Sequence, residues 1–419
     1  MTTKKRREEM KKKIAVVALT GILAAGPAFA SGYRIPEQSV NSTALSGAYV
    51  ANTPGADASY YNPANMSWLE NKWQTEASIT WINLASIEYT DSNPANASRN
   101  SGSRTEDFAM PNLHVVSPEY NNFRFGLSVI SPYGLSKRWD NSFPKTTAEE
   151  FTLKTYELNP TVSYKINEKL SIGGGVRVLY AEGVVKSNGN VGFIVARDME
   201  GDTTEYGYNL AMTYRPVDNI SLAATYRSKI DLDIEGNAKL SLNGNPLYDN
   251  FAAVSVPAPA VLTLAAAYTC NSGKTTAEFT YDKTFWNAYD QLDFNYSTTL
   301  NPILTAVFDN PKAKNWSNSD AFRFGLTHKL NTQWTVMAGF AIDKTPIPDQ
   351  TLGFELPDSN AKIYSCGVRY QATENLNIGT AYLFDDKESR TVANATPNPN
   401  GTFDNSAAHL VTAGLQYRF

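Results

Sequence analysis

The sequence has no apolar run long enough to cross a membrane as a helix. Beyond residue 30 there is no stretch of 18 consecutive apolar residues, which excludes a helical membrane protein. It is also poor in site-forming residues. The three histidines, His114, His328 and His409, stand far apart without metal-ligand spacing. Gly173-Gly174-Gly175 lacks the Lys-Ser/Thr that completes a phosphate loop. No G-x-S-x-G elbow appears, so the reading assigns no catalytic residue, metal or cofactor and expects no enzyme. Two cysteines, Cys270 and Cys366, are too few for a disulfide framework. Both lie in strand-like runs and read as small hydrophobes, although export would permit a bridge between them.

What is present starts with a leader. Residues 4–13 carry Lys4, Lys5, Arg6, Arg7, Lys11, Lys12 and Lys13, followed by the apolar run Ile14 to Ala25 and by Ala28-Phe29-Ala30. A basic region, a short apolar region and an A-x-A site make a secretory signal over residues 1–30, with cleavage expected after Ala30. That segment holds 7 of the 37 basic and 2 of the 41 acidic residues, so the remainder carries 30 and 39, a net charge of −9. An acidic exported chain argues against nucleic acid as a partner.

The rest of the chain alternates. Trp73, Ala77, Ile79, Trp81, Ile87 and Tyr89 share one parity against Gln74, Glu76, Ser78 and Thr80. Similar runs recur at 123–129, 156–164, 170–180, 206–214, 262–268, 322–326, 334–340, 364–370, 376–384 and 410–419, with weaker ones near 110–117 and 219–235. Period two puts each set on one face of a strand. Aromatics are 12% of residues, with 23 Tyr, while mean hydropathy is only −0.35. A lipid-facing apolar face opposite a polar lumen has this composition. The connections also sort by length. Tight turns at 165–169, 215–219, 330–333 and 372–375 alternate with long segments at about 132–151, 183–203, 236–260, 285–319, 343–360 and 386–407. Periplasmic turns and extracellular loops alternate this way, and a soluble sandwich has no reason to. The expected fold is all-β, a transmembrane antiparallel β-barrel of about 14 strands spanning residues 71–419, in the bacterial outer membrane. The terminal Phe419 fits the closing strand. Residues 31–70 break the strand rhythm and read as a periplasmic tail or a luminal plug.

The chain resembles a FadL-type outer-membrane transporter of hydrophobic compounds. The resemblance rests on Ser31-Gly32-Tyr33 with Pro36-Glu37-Gln38-Ser39, Gly47-Ala48-Tyr49, Tyr61-Asn62-Pro63-Ala64, Ser131-Pro132-Tyr133-Gly134-Leu135, and Ala338 to Asp343 with Pro346-Ile347-Pro348. It implies an N-terminal luminal hatch over 31–70 with Asn62, Pro63 and Ala64 as its corner. It implies a ligand pocket touched by Tyr33, Ile35 and Glu37, and a kinked third strand with a lateral window at Pro132, Tyr133 and Gly134. Lys186 and Arg323 are the basic residues nearest the places where such transporters contact a ligand carboxylate. The segment at 183–203 is shorter than the helical loop of fatty-acid transporters. The expected function is passive uptake of long-chain fatty acids or aromatic hydrocarbons, with a porin or an adhesive barrel as alternatives. The expected partners are a hydrophobic small molecule, outer-membrane lipid and the barrel-assembly machinery, with the chain a monomer.

Overall fold

Alternation becomes a wall when each strand pairs with both neighbours. The computed structural model describes residues 32–270, 272–395 and 398–419; the expected signal segment lies outside them. The strands are β1 (Gln74–Leu84), β2 (Glu106–Val116), β3 in two segments (Phe123–Ile130 and Gly134–Arg138), β4 (Glu150–Lys165), β5 (Leu170–Asn190) and β6 (Ile194–Val217). Then follow β7 in two segments (Ile220–Arg227 and Ile230–Leu242), β8 in two segments (Asn245–Ala258 and Val261–Cys270), β9 (Thr275–Thr284) and β10 (Ser319–Lys329). The last are β11 (Trp334–Asp343), β12 (Ala361–Gln371), β13 (Leu376–Lys387) and β14 (Ala407–Arg418). Each pairs antiparallel with the next, and β14 pairs back onto β1 from Gln74↔Arg418 to Leu84↔Ala408, closing a 14-stranded barrel. Closure leaves no edge, which lipid demands of any sheet that crosses it.

The two faces differ as the sequence predicts. Ile79, Trp81, Phe125, Tyr208, Leu264, Phe324 and Leu415 are exposed on the outside. Thr80, His114, Arg177, Thr213, Arg323 and Thr412 are buried inside. Most of residues 32–69 are buried against that inner face, with Pro54 exposed. Gly47 lies against the Arg323 side chain, and Gly173 on β5 admits the 62–64 corner: a Cβ there would sit 2.6 Å from Ala64 N and 2.7 Å from Pro63 C. Cys270 and Cys366 are free thiols on β8 and β12.

Two expected loops are corrected. Residues 183–203 and 236–260 continue the ladder: β5 and β6 pair from Leu170↔Tyr214 to Asn190↔Ile194, and β7 with β8 to Leu242↔Asn245. The turn Asn243-Gly244 has φ of +50° and +79°, the pair of left-handed residues that a two-residue hairpin requires. These arms misread as loops because their outward face is charged. Lys186 pairs with Glu150 and Asp198, and Lys239 with Asp198 and Asp249. Above the lipid an outward apolar residue has no advantage, so the alternation that marks a spanning strand fades.

Candidate functional site

The third strand is broken where the sequence places Pro132. Proline has no N–H to give a ladder. β2 pairs with β3 only from Leu113↔Val129 to Val116↔Gly126. Above that, among the described residues, backbone pairing resumes only where Arg104 N–H donates to Arg138 C=O at 2.9 Å and Ser103 bridges Trp139, beside side-chain links from Arg138 to Glu106 and from Lys137 to Ser103. The wall between residues 106–112 and 130–137 therefore has no ladder. Gly134 is not left-handed; its part in the break is to begin the second segment.

Freed backbone groups are costly in a membrane wall unless satisfied. The N-terminal segment satisfies them. The Gln38 carboxamide donates to Ser131 C=O at 2.9 Å and accepts Ser131 N–H at 3.0 Å. Ile35 N–H donates to Pro132 C=O at 2.8 Å, and Gly134 N–H donates to Tyr33 C=O at 2.9 Å. Thr155 Oγ1 on β4 accepts Tyr133 N–H and donates to Tyr133 C=O. Gln38 is a residue to which sequence reasoning gave no role. The one signal available was that an interrupted strand needs a partner carrying both a donor and an acceptor.

Tyr33 is buried. Its hydroxyl donates to Pro257 C=O at 2.5 Å, and its ring stands edge-on to Trp286 at 4.6 Å. It closes one side of an apolar cavity whose other walls include Leu135, Phe151, Leu153, Val185, Met199, Ile234, Val254, Tyr289 and Phe294. Room for that cavity comes from three cross-strand glycines in register, Gly183↔Gly201↔Gly236, all at its lining. A Cβ at Gly236 would lie 1.9 Å from Glu200 C=O. Ile35 belongs to a separate apolar cluster with Ile82, Phe108, Met110, Leu383 and Leu410, on the luminal side of the gap.

Glu37 is not at the cavity. It is buried with Oε2 lacking a hydrogen-bond partner. Burial pushes its carboxyl up to about 7, against the pull of Arg323. The Asn62 side chain donates to Val50 C=O and Thr213 Oγ1, both at 2.8 Å, and accepts Ala64 N–H at 3.1 Å. Pro63 opens the short 3-10 turn Pro63–Trp68, and Ala64 C=O accepts the Ser171 hydroxyl at 2.9 Å. These three residues anchor the segment to β5 and β6. Glu278 does the same from β9, its carboxylate accepting the N–H groups of Val50, Ala51 and Asn52.

The two basic candidates fall elsewhere. Lys186 sits on the outer arm, 3.5 Å from Asp198 and partly exposed. Arg323 is buried but committed: to Asp282 at 3.1 Å, Asp343 at 3.0 Å and Ser46 C=O at 3.0 Å. Both charges have acceptors of the chain's own within reach.

A family model described as "Outer membrane protein transport protein (OMPP1/FadL/TodX)" matches residues 21–419. The long-chain fatty acid transport protein of Escherichia coli K12 is 24% identical over 323 residues, covering 65% of this chain and 70% of that one. Outer membrane protein P1 of Haemophilus influenzae is 23% identical over 465 residues, covering 97% and 99%. Among solved structures, a Pseudomonas aeruginosa FadL homologue superposes with a TM-score of 0.80 at 20% identity, covering 93% of this chain and all of that one. The Pseudomonas putida toluene transporter TodX gives 0.68 at 19%, covering 91% and 97%. The chain belongs to the OMPP1/FadL/TodX family: it is an outer-membrane transport protein and not an enzyme.

Proposed function

We propose that this protein carries long-chain fatty acids or aromatic hydrocarbons through a cavity walled by Tyr33, and releases them sideways into the membrane between β2 and β3. The observation that carries the reading is the double engagement of Tyr33. Its ring walls the apolar cavity while its carbonyl holds Gly134 at the strand break. Ligand that displaces the ring also pulls on the contacts that fill the gap. On this reading residues 31–70 form a hatch, with Asn62, Pro63 and Ala64 as its fixed corner, and Pro132, Tyr133 and Gly134 mark the window.

Two features support the sideways route. Much of the lumen is occupied by residues 32–69, bonded to the wall through Thr213 and Ser171. Apolar side chains cluster on the luminal side of the gap, Ile35, Phe108 and Met110 among them. An apolar ligand gains by entering lipid without an aqueous step. A general porin wants an open, charged lumen, and that filling disfavours it. The chain acts on this reading as a monomer, delivered to the membrane by the barrel-assembly machinery.

The test is uptake by proteoliposomes offered hexadecanoate, toluene and a disaccharide. Hydrophobic probes should enter well above protein-free vesicles, and the sugar should not. Sugar entry with no gain for either hydrophobic probe would replace this reading with the porin.

A further inference from the structure

Beneath the luminal segment, at the end of the barrel where the tight turns lie, is a second cavity of about 550 Å³. Asn41, Leu45 and Tyr49 form its roof, and Gly273, Asn331 and Gln371 stand at its rim. Four cations line it, Lys274, Lys329, Arg369 and Arg418, and among the described residues no carboxylate does. Arg369 is held by Glu76 at 2.7 Å, and Arg418 reaches Glu70 at 3.4 Å. Lys274 and Lys329 have no ion pair among the described residues. In a chain whose net charge beyond residue 30 is −9, a chamber lined by one sign of charge is a local reversal.

The two lysines are placed against each other. Lys329 N–H donates to Lys274 C=O at 2.8 Å, one step beyond the Thr275↔His328 pair, so they oppose one another across β9 and β10. Like charges directly opposite destabilise a sheet. Both keep the inward parity of their strands, Lys274 with Thr276 and Glu278, Lys329 with Thr327 and Arg323. That turns them toward the lumen and away from lipid headgroups. The nearby carboxylates of the inner face are engaged elsewhere: Glu278 accepts the N–H groups of Val50, Ala51 and Asn52, and Glu76 holds Arg369. The cationic lining continues past Arg418 into an adjoining cavity that shares Asn52 and Pro54. There the Arg215 guanidinium stands 4.5 Å over the ring of Trp68, and its Nε has no hydrogen-bond partner. A single small anion needs donors that converge on one point. Cations spread around a wide chamber, with polar side chains such as Asn52 and Gln333 between them, instead match a run of carboxylates on a backbone that the amides can bond.

We propose that this chamber is a docking site for an acidic, extended segment of a soluble periplasmic protein, received directly beneath residues 41–54. The opposed pair Lys274 and Lys329 is its main anchor. The proposal is independent of the transport route, since none of these residues walls the Tyr33 cavity or the gap between β2 and β3.

The experiment compares fluorescein-labelled octaglutamate with octaglutamine on the purified full-length chain, in a neutral detergent at pH 8 and low salt, read by fluorescence anisotropy. Octaglutamate should bind at least about tenfold more tightly, and the preference should shrink as salt is raised. Lys274→Gln/Lys329→Gln should lose at least about tenfold of that affinity while keeping the heat-modifiable migration of the parent. Lys329→Gln alone should lose part of it. Lys362→Gln, which removes an exposed lysine at the opposite end of β12, should lose nothing. Equal binding of the two peptides by the parent chain, which needs no variant to fold, would overturn the proposal. So would octaglutamate affinity that survives in the folded double variant, or an equal loss in Lys362→Gln, which would mean general attraction to the chain's cations. Displacement of octaglutamate by inorganic phosphate at equal charge concentration would replace the peptide dock with a small-anion site.

Discussion

Gly134 N–H donates to the carbonyl of Tyr33 at 2.9 Å, so the residue that walls the cavity also stitches the broken strand. Ring and carbonyl sit on one residue, and on the proposed reading this links occupancy of the cavity to the state of the gap.

Tyr33→Ala should therefore weaken binding and blunt its dependence on chain length. In the parent chain each added methylene should contribute about 0.8 kcal/mol, close to fourfold in affinity. A titration series of saturated acids from ten to sixteen carbons measures the slope. A variant with the parent's slope and affinity would remove Tyr33 from the site.

Gln38→Leu tests the seal. Ser131 N–H and C=O would both lose their partner, at about 1–3 kcal/mol for each buried group left unpaired. The barrel should still form, since β3 keeps its ladder to β4 on the other side. The midpoint of heat-modified migration should fall, and protease should reach residues 33–69 faster. No change in either would mean water already satisfies Ser131.

How far the sequence could be read depends on what lay outside each strand. Where lipid covers the outer face, as at Phe322-Arg323-Phe324 or Val411 to Phe419, alternation was plain, and so were the strands. Where β5 to β8 rise above it, Lys186, Asp198 and Lys239 took the outward positions and the strands passed for loops. The break at Pro132 was legible because proline's missing donor is local. Gln38 was not. Its role depends on a contact 93 residues away in the sequence, which only three-dimensional pairing decides.

The luminal segment should loosen as pH rises. Burial raises the carboxyls of Glu37 and Asp57 to about 7, and Glu76 adds to the rise at Asp57. Both therefore bind protons more tightly in the folded state than in the unfolded chain, where ordinary values near 4 apply. Stability from the protonated form is full below the unfolded value and is lost as pH climbs through the folded one. Hydrogen exchange of residues 33–69 between pH 5 and pH 8, corrected for intrinsic rates, should show protection falling across that window. The double variant Glu37→Gln/Asp57→Asn should flatten the profile. An unchanged slope in the variant would assign the effect to other groups.

Phe419 closes the barrel seam. Its backbone exchanges hydrogen bonds with Trp73 at 3.0 and 3.1 Å, and the two rings stack with centroids 6.5 Å apart. An aromatic at the interface anchors a strand end where lipid meets water. Phe419→Ser should lower the yield of heat-modifiable folded barrel in outer membranes while leaving expression unchanged. Parent-level yield would show that the remaining ladder from Gln74 to Leu84 closes the seam unaided.

The exit route is the sharpest test. If ligand leaves between β2 and β3, restoring the ladder there should stop it. Pro132→Thr supplies the missing donor, and Gly134→Val favours extended backbone. Ser131 to Lys137 could then pair with residues 106–111 of β2, whose β3-facing side has no ladder partner. The new pairing competes with Ile35, Gln38 and Tyr33 for the same backbone groups, so the segment 33–38 should shift while the cavity walls on β4 to β8 stay in place. The double variant should fold and bind hexadecanoate within a fewfold of the parent, yet transport it at least about tenfold more slowly, a barrier increase near 1.4 kcal/mol. Binding and uptake measured on the same preparation separate the two effects. Normal uptake by a correctly folded double variant would refute lateral release and send the ligand through the lumen.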